Sequence, residues 1–369
     1  MPQYLSSRMH PSALTPQNPM SQMLSIGLLG HGYAGATFHA PVIAHCGNAR
    51  LAAIATSQPE PARAAWPNAT VVPDLDALLA LPELDCVVIA TPNDTHYAQA
   101  RRVLEAGRHV VVDKPVTLTA AEALDLARLA HARSRLFVPF HNRRWDGDFL
   151  TLRALLDSGE LGRVTYFESH FDRFRPQVRT RWREQAARGG GLLFDLGPHL
   201  IDQALALFGA PETVSATVKT RREGGDAADF AHLVLGYADK DVVLHASMLA
   251  AVDGPRFIVH GTRGGYQKYG LDTQEDQLKQ GLTPDDVEFG SGNPPGVLCA
   301  LDGEIEIERP VPTLDGQYVA FYRALAAAIR NGTPPPVSAQ DAVDVMSLIE
   351  LALQSQNEGR RLPFVRTIV

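Results

Sequence analysis

Three side chains suited to proton transfer stand out in this 369-residue sequence: Lys114, Asp195 and His199. Asp195 and His199 are four residues apart at the start of a predicted helix, so they share one helix face. A histidine titrates near neutral pH and can take up a hydroxyl proton, while a nearby carboxylate orients its ring or binds the hydroxyl. A desolvated lysine can also titrate near neutrality. The three residues could therefore form an acid–base site.

Each residue also has a simpler interpretation. Lys114 could form a surface ion pair with Asp113. Asp195 and His199 could be a capping residue and a structural histidine, or two ligands of a metal site. A metal site needs a third ligand, and no HxxxH-type partner lies nearby, so no metal is expected. The structural and the catalytic interpretations both stay open on these residues alone.

A glycine-rich turn, Gly30-His31-Gly32-Tyr33-Ala34-Gly35, follows an apolar run at 24–29 and opens a helix-compatible segment. In that context the first glycine makes the tight turn, the second lets the backbone approach a pyrophosphate, and the third permits close helix–strand packing. The start of the helix offers free N–H groups to phosphates. A glycine turn without a ligand is the alternative. The predicted dinucleotide contacts are Gly30, Gly32, Tyr33, Ala34 and Gly35.

The end of the second strand should determine which dinucleotide binds. NAD enzymes place an acid there for the ribose 2′-hydroxyl. This chain has Thr56 and Ser57 instead, with no acid before Glu60 and with Arg63 in reach. A hydroxyl-rich turn accepts a 2′-phosphate that a carboxylate would repel, so NADP is favoured and NAD is possible. The alternative is that Thr56 and Ser57 only cap the next turn.

Two further groups of polar residues follow predicted parallel strands, where ligands bind in open α/β sheets. One group follows the strand at 86–90, and the other follows the strand at 109–112. They add the following predicted cofactor contacts: Thr91, Pro92, Asn93, His96, Asp113 and Lys114.

The arrangement of apolar segments predicts an α/β protein with two domains. Apolar strands alternate with helices over 24–142, which is typical of a Rossmann domain with a parallel sheet covered on both faces. Strands with partial alternation follow over 143–369, which predicts an α+β domain with a large, mainly antiparallel open sheet for substrate binding and oligomerisation. Residues 1–23 are expected to be a flexible extension. The segment 266–295 is expected to be irregular and near the site.

Composition excludes several classes of function. The formal charge of −7 gives no basic surface for nucleic acid and no attraction to an anionic membrane. The basic stretch 173–188 is interpreted as a local site or a solvated face. Three cysteines without a CxxC pair, no apolar run long enough to span a bilayer and no signal peptide together favour the cytoplasm.

The chain from about residue 24 onward resembles the Gfo/Idh/MocA family of oxidoreductases. The resemblance rests on four segments in order: the glycine turn, Asp113-Lys114-Pro115, 141–146 and 189–199. The stretches 167–176 and 268–272 are similar to the family's bacterial YdgJ-type branch, which is similar to NADP-dependent scyllo-inositol dehydrogenases.

The resemblance implies that Lys114, on a turn expected to contain a cis proline, touches both the reacting hydroxyl and the cofactor. Asp195 and His199 match the family's Asp and His, with His199 the implied general base. The family usually has Glu before the lysine, whereas this chain has the shorter Asp113. A loop that enters the substrate pocket is matched by Arg143, Arg144 and Trp145.

The expected activity is hydride transfer between a secondary alcohol of a cyclic polyol or sugar and a nicotinamide. His170, Asp172 and Arg175 offer hydrogen-bonding groups that suit such a hydroxyl-rich substrate. A non-catalytic NAD(P)-binding regulator and an NAD-dependent glycosidase are the alternatives. A homodimer or homotetramer is expected, because an open sheet face is commonly covered by a symmetric partner.

Overall fold

The structure is a computed structural model that describes residues 23–303 and 305–369. The predicted N-terminal extension lies, except for Met23, outside the described residues. The described chain contains one six-stranded and one nine-stranded β-sheet, with helices packed against both.

The first sheet is parallel throughout, in the order β3-β2-β1-β4-β5-β6. Its central strands are buried because helices cover both faces, and this explains their continuous apolar sequences. The strand order reverses between β1 and β4, which opens a crevice at the carboxyl ends of the strands. The strands are β1 (Leu24–Leu29), β2 (Ala49–Ala55), β3 (Thr70–Val72), β4 (Cys86–Ile89), β5 (His109–Val112) and β6 (Phe137–Pro139).

The helices of this region are α1 (Ala40–His45), α2 (Pro59–Ala65), α3 (Leu75–Leu79), α4 (His96–Glu105) and α5 (Ala120–Ala132). A π-helical turn, Gly35–His39, joins the glycine turn to α1. Side chains define two of the helix starts. Asp74 accepts the Ala77 N–H at α3, and Thr119 and Glu122 form a capping box at α5.

The second sheet has the order β14-β13-β12-β11-β7-β10-β9-β8-β15, with only β7 and β10 parallel. Burial alternates along β7, so one face of the sheet packs on helices and the other is more open. The strands are β7 (Val164–Asp172), β8 (Thr213–Lys219), β9 (Phe230–Gly236), β10 (Asp241–Ser247), β11 (Phe257–Gly261), β12 (Gly264–Lys268), β13 (Gly296–Asp302), β14 (Ile305–Val311) and β15 (Leu362–Pro363).

One helix of the second region completes the core of the first. The remaining helices are α6 (Gly147–Ser158), α7 (Leu192–Asp195), α8 (Gly197–Phe208), α9 (Gln274–Lys279), α10 (Val319–Asn331) and α11 (Ala339–Glu358). Phe321, Tyr322 and Leu325 of α10 are buried together with the apolar residues of β1. The predicted boundary at residue 142 therefore separates the two sheets but not their hydrophobic cores.

The predicted fold class is confirmed: a parallel Rossmann sheet precedes a mixed, mostly antiparallel sheet. The expectation of an irregular 266–295 segment is partly wrong, because the segment contains α9 and the end of β12. Strands β12 to β15 were not predicted, although apolar and polar residues alternate in β14 from Ile305 to Glu308. No helix in 23–303 or 305–369 is long and apolar enough to cross a membrane.

Candidate active site

Lys114 lies just after β5, where the Lys114–Pro115 peptide bond is cis, as the family resemblance implies. Its backbone N–H donates to Oδ1 of Asp113 at 2.7 Å. Its Nζ donates to Oδ1 of Asp195 at 2.9 Å and to the Asp195 carbonyl oxygen at 2.6 Å. An ammonium group has three N–H donors, so these two bonds fix Nζ and leave one donor for another ligand.

Asp195 and His199 lie on two consecutive helices rather than on one predicted helix. Asp195 ends α7 and His199 lies in the first turn of α8, with Leu196 between the helices. Pro198 lacks the N–H that would continue the hydrogen-bond ladder of α7, which explains the new helix start. Both side chains nevertheless reach the same cavity as Lys114.

The glycine loop 189–191 attaches this helix pair to the first domain. Asn93 donates from Nδ2 to the Gly189 carbonyl oxygen at 3.0 Å. A β-carbon on Gly189 would lie 2.2 Å from the Leu118 side chain, and Gly191 has φ +102°. Both positions need glycine, so the loop can lie directly against the end of β4 and bring Asp195 to Lys114.

Electrostatics distinguish the roles of the acids and the histidine. Burial would raise the pKa of the Asp195 carboxyl, but Lys114, Arg183 and Arg173 hold it well below its usual range. Burial would likewise raise the pKa of Asp113, and His39 and Lys114 lower it to about 2. Burial, followed by the charges of Lys114 and Arg143, lowers the pKa of His199 far below 6.5. His199 is therefore a neutral imidazole at pH 7, and both carboxylates are ionised.

These residues line a cavity of about 440 Å³, named here the catalytic cleft. Nδ1 of His199 is buried without a hydrogen-bond partner among the described residues. An orphaned imidazole nitrogen in a polar cavity marks a place for a ligand group. The other polar residues of the cleft are Tyr33, Asp113, Asn142, Arg143, Arg173, Arg175, Arg179, Arg181, Arg183, Glu275 and Lys279.

A second cavity of about 620 Å³, named here the dinucleotide cleft, begins at the glycine turn and shares Asp113 and Lys114 with the catalytic cleft. Gly30 has φ +96°, and a β-carbon on Gly35 would lie 2.0 Å from the Gly30 carbonyl oxygen. A β-carbon on Gly32 would meet nothing within 4 Å and would occupy open space. This turn therefore fits a dinucleotide whose pyrophosphate approaches the backbone at Gly32.

Most of the predicted cofactor residues line the dinucleotide cleft. They are Gly30, Gly32, Tyr33, Ala34, Thr56, Ser57, Thr91, Pro92, Asn93, Asp113 and Lys114. Gly35 lies behind the turn and contributes by packing. His96 is buried, with Nδ1 2.8 Å from the Pro115 carbonyl oxygen and Nε2 2.9 Å from that of Thr91, so it links two strand ends behind the cleft.

The turn after β2 fits both interpretations given for it above, which are selection of the dinucleotide and capping of the next turn. Thr56 and Ser57 line the dinucleotide cleft, and Oγ1 of Thr56 also accepts the Gln58 N–H at 3.1 Å, as a capping residue would. Arg63 pairs with Glu60 at 3.8 Å and does not line the cleft. Arg102, which sequence reasoning missed, does line it.

The structure brings only two of the predicted substrate residues to the catalytic cleft: Arg143 and Arg175. Arg144 does not line the cleft, and its guanidinium donates from Nη2 to Oδ1 of Asp202 at 2.6 Å. Trp145 does not line the cleft either, since it packs edge-on against Phe321 with ring centroids 5.6 Å apart.

His170 and Asp172 do not line the catalytic cleft, because strand alternation turns both side chains away from it. Phe171 faces the core of the second sheet, so its neighbours face the other side. There Nε2 of His170 lies 2.9 Å from Glu168, and Nδ1 lies 3.3 Å from Asp172.

Outside the cleft, one group of side chains has the geometry of a metal site. Ligand atoms of His170, Asp172 and His245 all lie within 4.8 Å of one another on the open sheet face. Two imidazoles and a carboxylate suit a transition metal. The same contacts also fit a protonated His170 between two carboxylates, which raise its pKa against the effect of burial.

Sequence reasoning missed the cleft residues Glu275 and Lys279, which lie on α9 in the segment expected to be irregular. Their four-residue spacing was the available signal, and Nζ of Lys279 lies 2.9 Å from Oε1 of Glu275. The same carboxylate accepts from the Tyr33 hydroxyl at 2.9 Å and from Nη2 of Arg143 at 2.8 Å. Glu275 therefore connects the glycine turn to the second domain.

The chain belongs to the Gfo/Idh/MocA family of oxidoreductases. Residues 24–141 match the family's NAD-binding Rossmann fold, and residues 153–364 match its C-terminal alpha/beta domain. The two matches cover the regions that supply Lys114 and the Asp195–His199 pair. The chain is accordingly a dehydrogenase that uses a nicotinamide cofactor.

Similar proteins extend over nearly the whole chain. The oxidoreductase YdgJ of Escherichia coli is 48% identical over 91% of this chain and 97% of its own length. The scyllo-inositol 2-dehydrogenase (NADP⁺) IolW of Bacillus subtilis is 36% identical over 92% of this chain and 95% of its own length. The solved structure of the YPO2259 oxidoreductase of Yersinia pestis has a TM-score of 0.90 at 46% identity, covering 95% of this chain and all of that one.

Two alanine substitutions in the glycine turn should separate stability from cofactor affinity. Gly35→Ala is expected to lower the free energy of unfolding by about 2 kcal/mol or more, because the new methyl group collides with the Gly30 backbone. Gly32→Ala should change it by less than about 0.5 kcal/mol, since its methyl group points into open space. Gly32→Ala should instead weaken nicotinamide dinucleotide binding about tenfold. Denaturant unfolding and calorimetric titration measure the two effects. Equal stability of the two variants would contradict the packing argument.

Proposed function

We propose that this protein catalyses NADP-dependent hydride transfer to or from a secondary alcohol carbon of a cyclic polyol or sugar. The observation that carries the proposal is the convergence of Lys114, Asp195 and His199 in one cavity that opens onto the dinucleotide cleft. A protein that only bound a dinucleotide would need none of these three side chains.

The nicotinamide supplies the hydride acceptor for alcohol oxidation and the hydride donor for ketone reduction. Neutral His199 is the base that takes the proton from the substrate hydroxyl. Asp195 holds Nζ of Lys114, whose remaining N–H donates to the substrate oxygen and stabilises the negative charge that develops there. Asp113 fixes the Lys114 backbone.

The substrate class is supported by two relatives. IolW is a scyllo-inositol 2-dehydrogenase (NADP⁺), and a protein of Rhizobium meliloti, 30% identical over 91% of this chain and 98% of its own length, is an inositol 2-dehydrogenase. The cleft is lined by many hydrogen-bond donors and has the volume of a small-ligand pocket, which suits a ring with several hydroxyl groups.

A panel of inositols and aldoses, incubated with NADP or NAD while nicotinamide absorbance is recorded, tests the proposal. Reduction of the dinucleotide with at least one ring polyol or sugar is expected. Tight dinucleotide binding without turnover of any alcohol or ketone would favour the regulator. Cleavage of a nitrophenyl glycoside without net change in nicotinamide absorbance would favour the glycosidase.

The preference for NADP is argued from the turn after β2. Thr56 and Ser57 place hydroxyl groups on the dinucleotide cleft where a carboxylate would repel a 2′-phosphate. Ser57→Asp is expected to lower the affinity for NADPH by about tenfold or more and to leave NADH binding within about threefold. Fluorescence titration with both dinucleotides measures this. An equal loss of affinity for NADPH and NADH would show that the substitution had only disturbed the turn. Tighter binding of NADH than of NADPH by the unchanged protein would contradict the preference for NADP.

We also propose a homo-oligomer that buries the open face of the second sheet. This face carries partly buried polar groups, among them His170, His232 and His245, which a symmetric partner would shield further. Light scattering coupled to size-exclusion chromatography should give a mass of two or four chains. A monomeric mass would contradict this arrangement.

A further inference from the structure

The catalytic cleft is strongly cationic although the protein carries a net charge of −7. Eight of its lining residues are lysine or arginine and three are acidic. The acids are already engaged: Asp195 by Lys114, Glu275 by Arg143 and Lys279, and Asp113 by the Lys114 backbone. The excess positive charge therefore belongs mainly to the arginine cluster, which consists of Arg173, Arg175, Arg179, Arg181 and Arg183.

Within the described residues, only Arg181 of this cluster has a carboxylate within 4.0 Å, that of Glu184 at 3.1 Å. The other four arginines have no such partner in 23–303 or 305–369. Burial lowers the pKa of the Arg175 guanidinium, and the positive charges of Arg173, Arg179 and Arg181 lower it further. Converging guanidinium groups without counter-charges are the usual setting of an anion-binding site.

The backbone holds the start of this cluster in place. The Arg173 N–H donates to the Ser247 carbonyl oxygen at 2.9 Å, and the Arg175 N–H donates to that of Met248 at 2.7 Å, which continues the strand pairing of β7. Because side-chain direction alternates along an extended chain, Arg173 and Arg175 both line the cleft, and Phe174 between them is exposed.

A buried arginine outside the cleft braces the next part of the segment. Arg222 donates to the carbonyl oxygens of Arg175 and Gln177 at 3.3 and 3.4 Å. It is fixed in turn by Glu184 at 2.6 Å and Asp229 at 2.9 Å. The backbone that carries Arg175 is therefore held in place.

We propose that the arginine cluster is a subsite for an anionic group of the substrate, so that the preferred substrate is a sugar or cyclic polyol that also carries a carboxylate or a phosphate monoester. This inference rests on the proposed function. The reacting hydroxyl lies at Lys114 and His199, and the anionic group lies against Arg173 and Arg175. The cofactor's own phosphates are not the anion, because only Arg183 of the cluster also lines the dinucleotide cleft.

Three compounds with the same ring test the proposal: glucose, glucuronate and glucose 6-phosphate, assayed with saturating NADP. At least one charged compound should exceed glucose in kcat/KM by about tenfold or more, and the advantage should shrink at high salt. The double variant Arg173→Gln, Arg175→Gln should lose about 10- to 100-fold for that compound, and its loss for glucose should be smaller by at least about threefold. Arg163→Gln, which removes a charge outside the cleft, is the matched control. A preference for glucuronate would identify the anion as a carboxylate, and a preference for glucose 6-phosphate would identify it as a phosphate.

The anionic subsite is overturned if glucose has a kcat/KM equal to or higher than that of both charged compounds. It is also overturned if the double variant loses kcat/KM equally for charged and neutral compounds. In both cases the proposed function is unaffected. If none of the three compounds is turned over, the proposed function fails for this ring. The anionic subsite is then tested by measuring whether anions bind. At least one of two anions, gluconate or inorganic phosphate, should raise the melting temperature of the NADPH complex. The double variant should abolish that shift for the anion that the cluster takes. No shift with either anion in the unchanged protein would overturn the proposal.

Discussion

Lys114→Met is expected to lower kcat by about 100- to 10,000-fold while NADPH still binds. Among residues 23–303 and 305–369, Nζ of Lys114 is the only side-chain cation bonded to Asp195. The substitution removes its one uncommitted N–H donor from the reacting oxygen. Methionine retains an unbranched, apolar side chain of similar length, so the protein should remain folded. Stopped-flow single-turnover measurements, together with an NADPH titration, separate the chemical step from cofactor binding.

Lys219→Ala provides the control for this experiment, because Lys219 is exposed on β8 and does not line either cleft. It should keep kcat within about twofold of the unchanged protein, as exposed substitutions distant from a site usually do. A Lys114→Met protein with unchanged turnover would remove Lys114 from the mechanism. A variant with a sharply lowered melting temperature would show that the Lys114–Asp195 contact serves folding, and Lys114→Arg would then separate charge from shape.

The site could be predicted from sequence wherever local geometry alone determines the position of a residue. Strand β5 has the bounds that its apolar pattern predicts, and it ends two residues before Lys114. The glycine turn likewise has the geometry that its spacing predicts. These features depend on neighbours within a few residues, so the sequence contains the whole signal.

Features that depend on contacts between distant parts of the chain could not be predicted from the sequence. Whether His170 or Arg173 faces the cleft depends on the register of β7 against β10 and β11, and a shift of one residue exchanges the two faces. The contribution of Glu275 depends on long-range contacts with Tyr33 and Arg143, which no local pattern contains. The break between α7 and α8 was foreseeable, since Pro198 cannot continue a helix.

His199→Gln is expected to lower kcat/KM for alcohol oxidation by about 100- to 10,000-fold and to change the pH profile. Burial and the cations Lys114 and Arg143 lower the pKa of His199 well below 6.5 in the folded protein. The base is therefore neutral throughout the physiological range, and activity should decline only as the pH falls through this lowered pKa. Glutamine cannot accept a full proton, so the residual activity of the variant should lack that acidic limb.

The measurement is kcat/KM across pH 4.5 to 9 in buffers of constant ionic strength, with His131→Gln as the matched control. His131 is exposed on α5 and does not line either cleft, so its variant should reproduce the unchanged profile. Added imidazole should restore part of the activity of His199→Gln, because the catalytic cleft has room for it. An acidic limb that persists in His199→Gln would assign the titration to another group. A limb near pH 6.5 in the unchanged protein would contradict a lowered pKa of His199, because kcat/KM reports groups of the enzyme before the substrate binds.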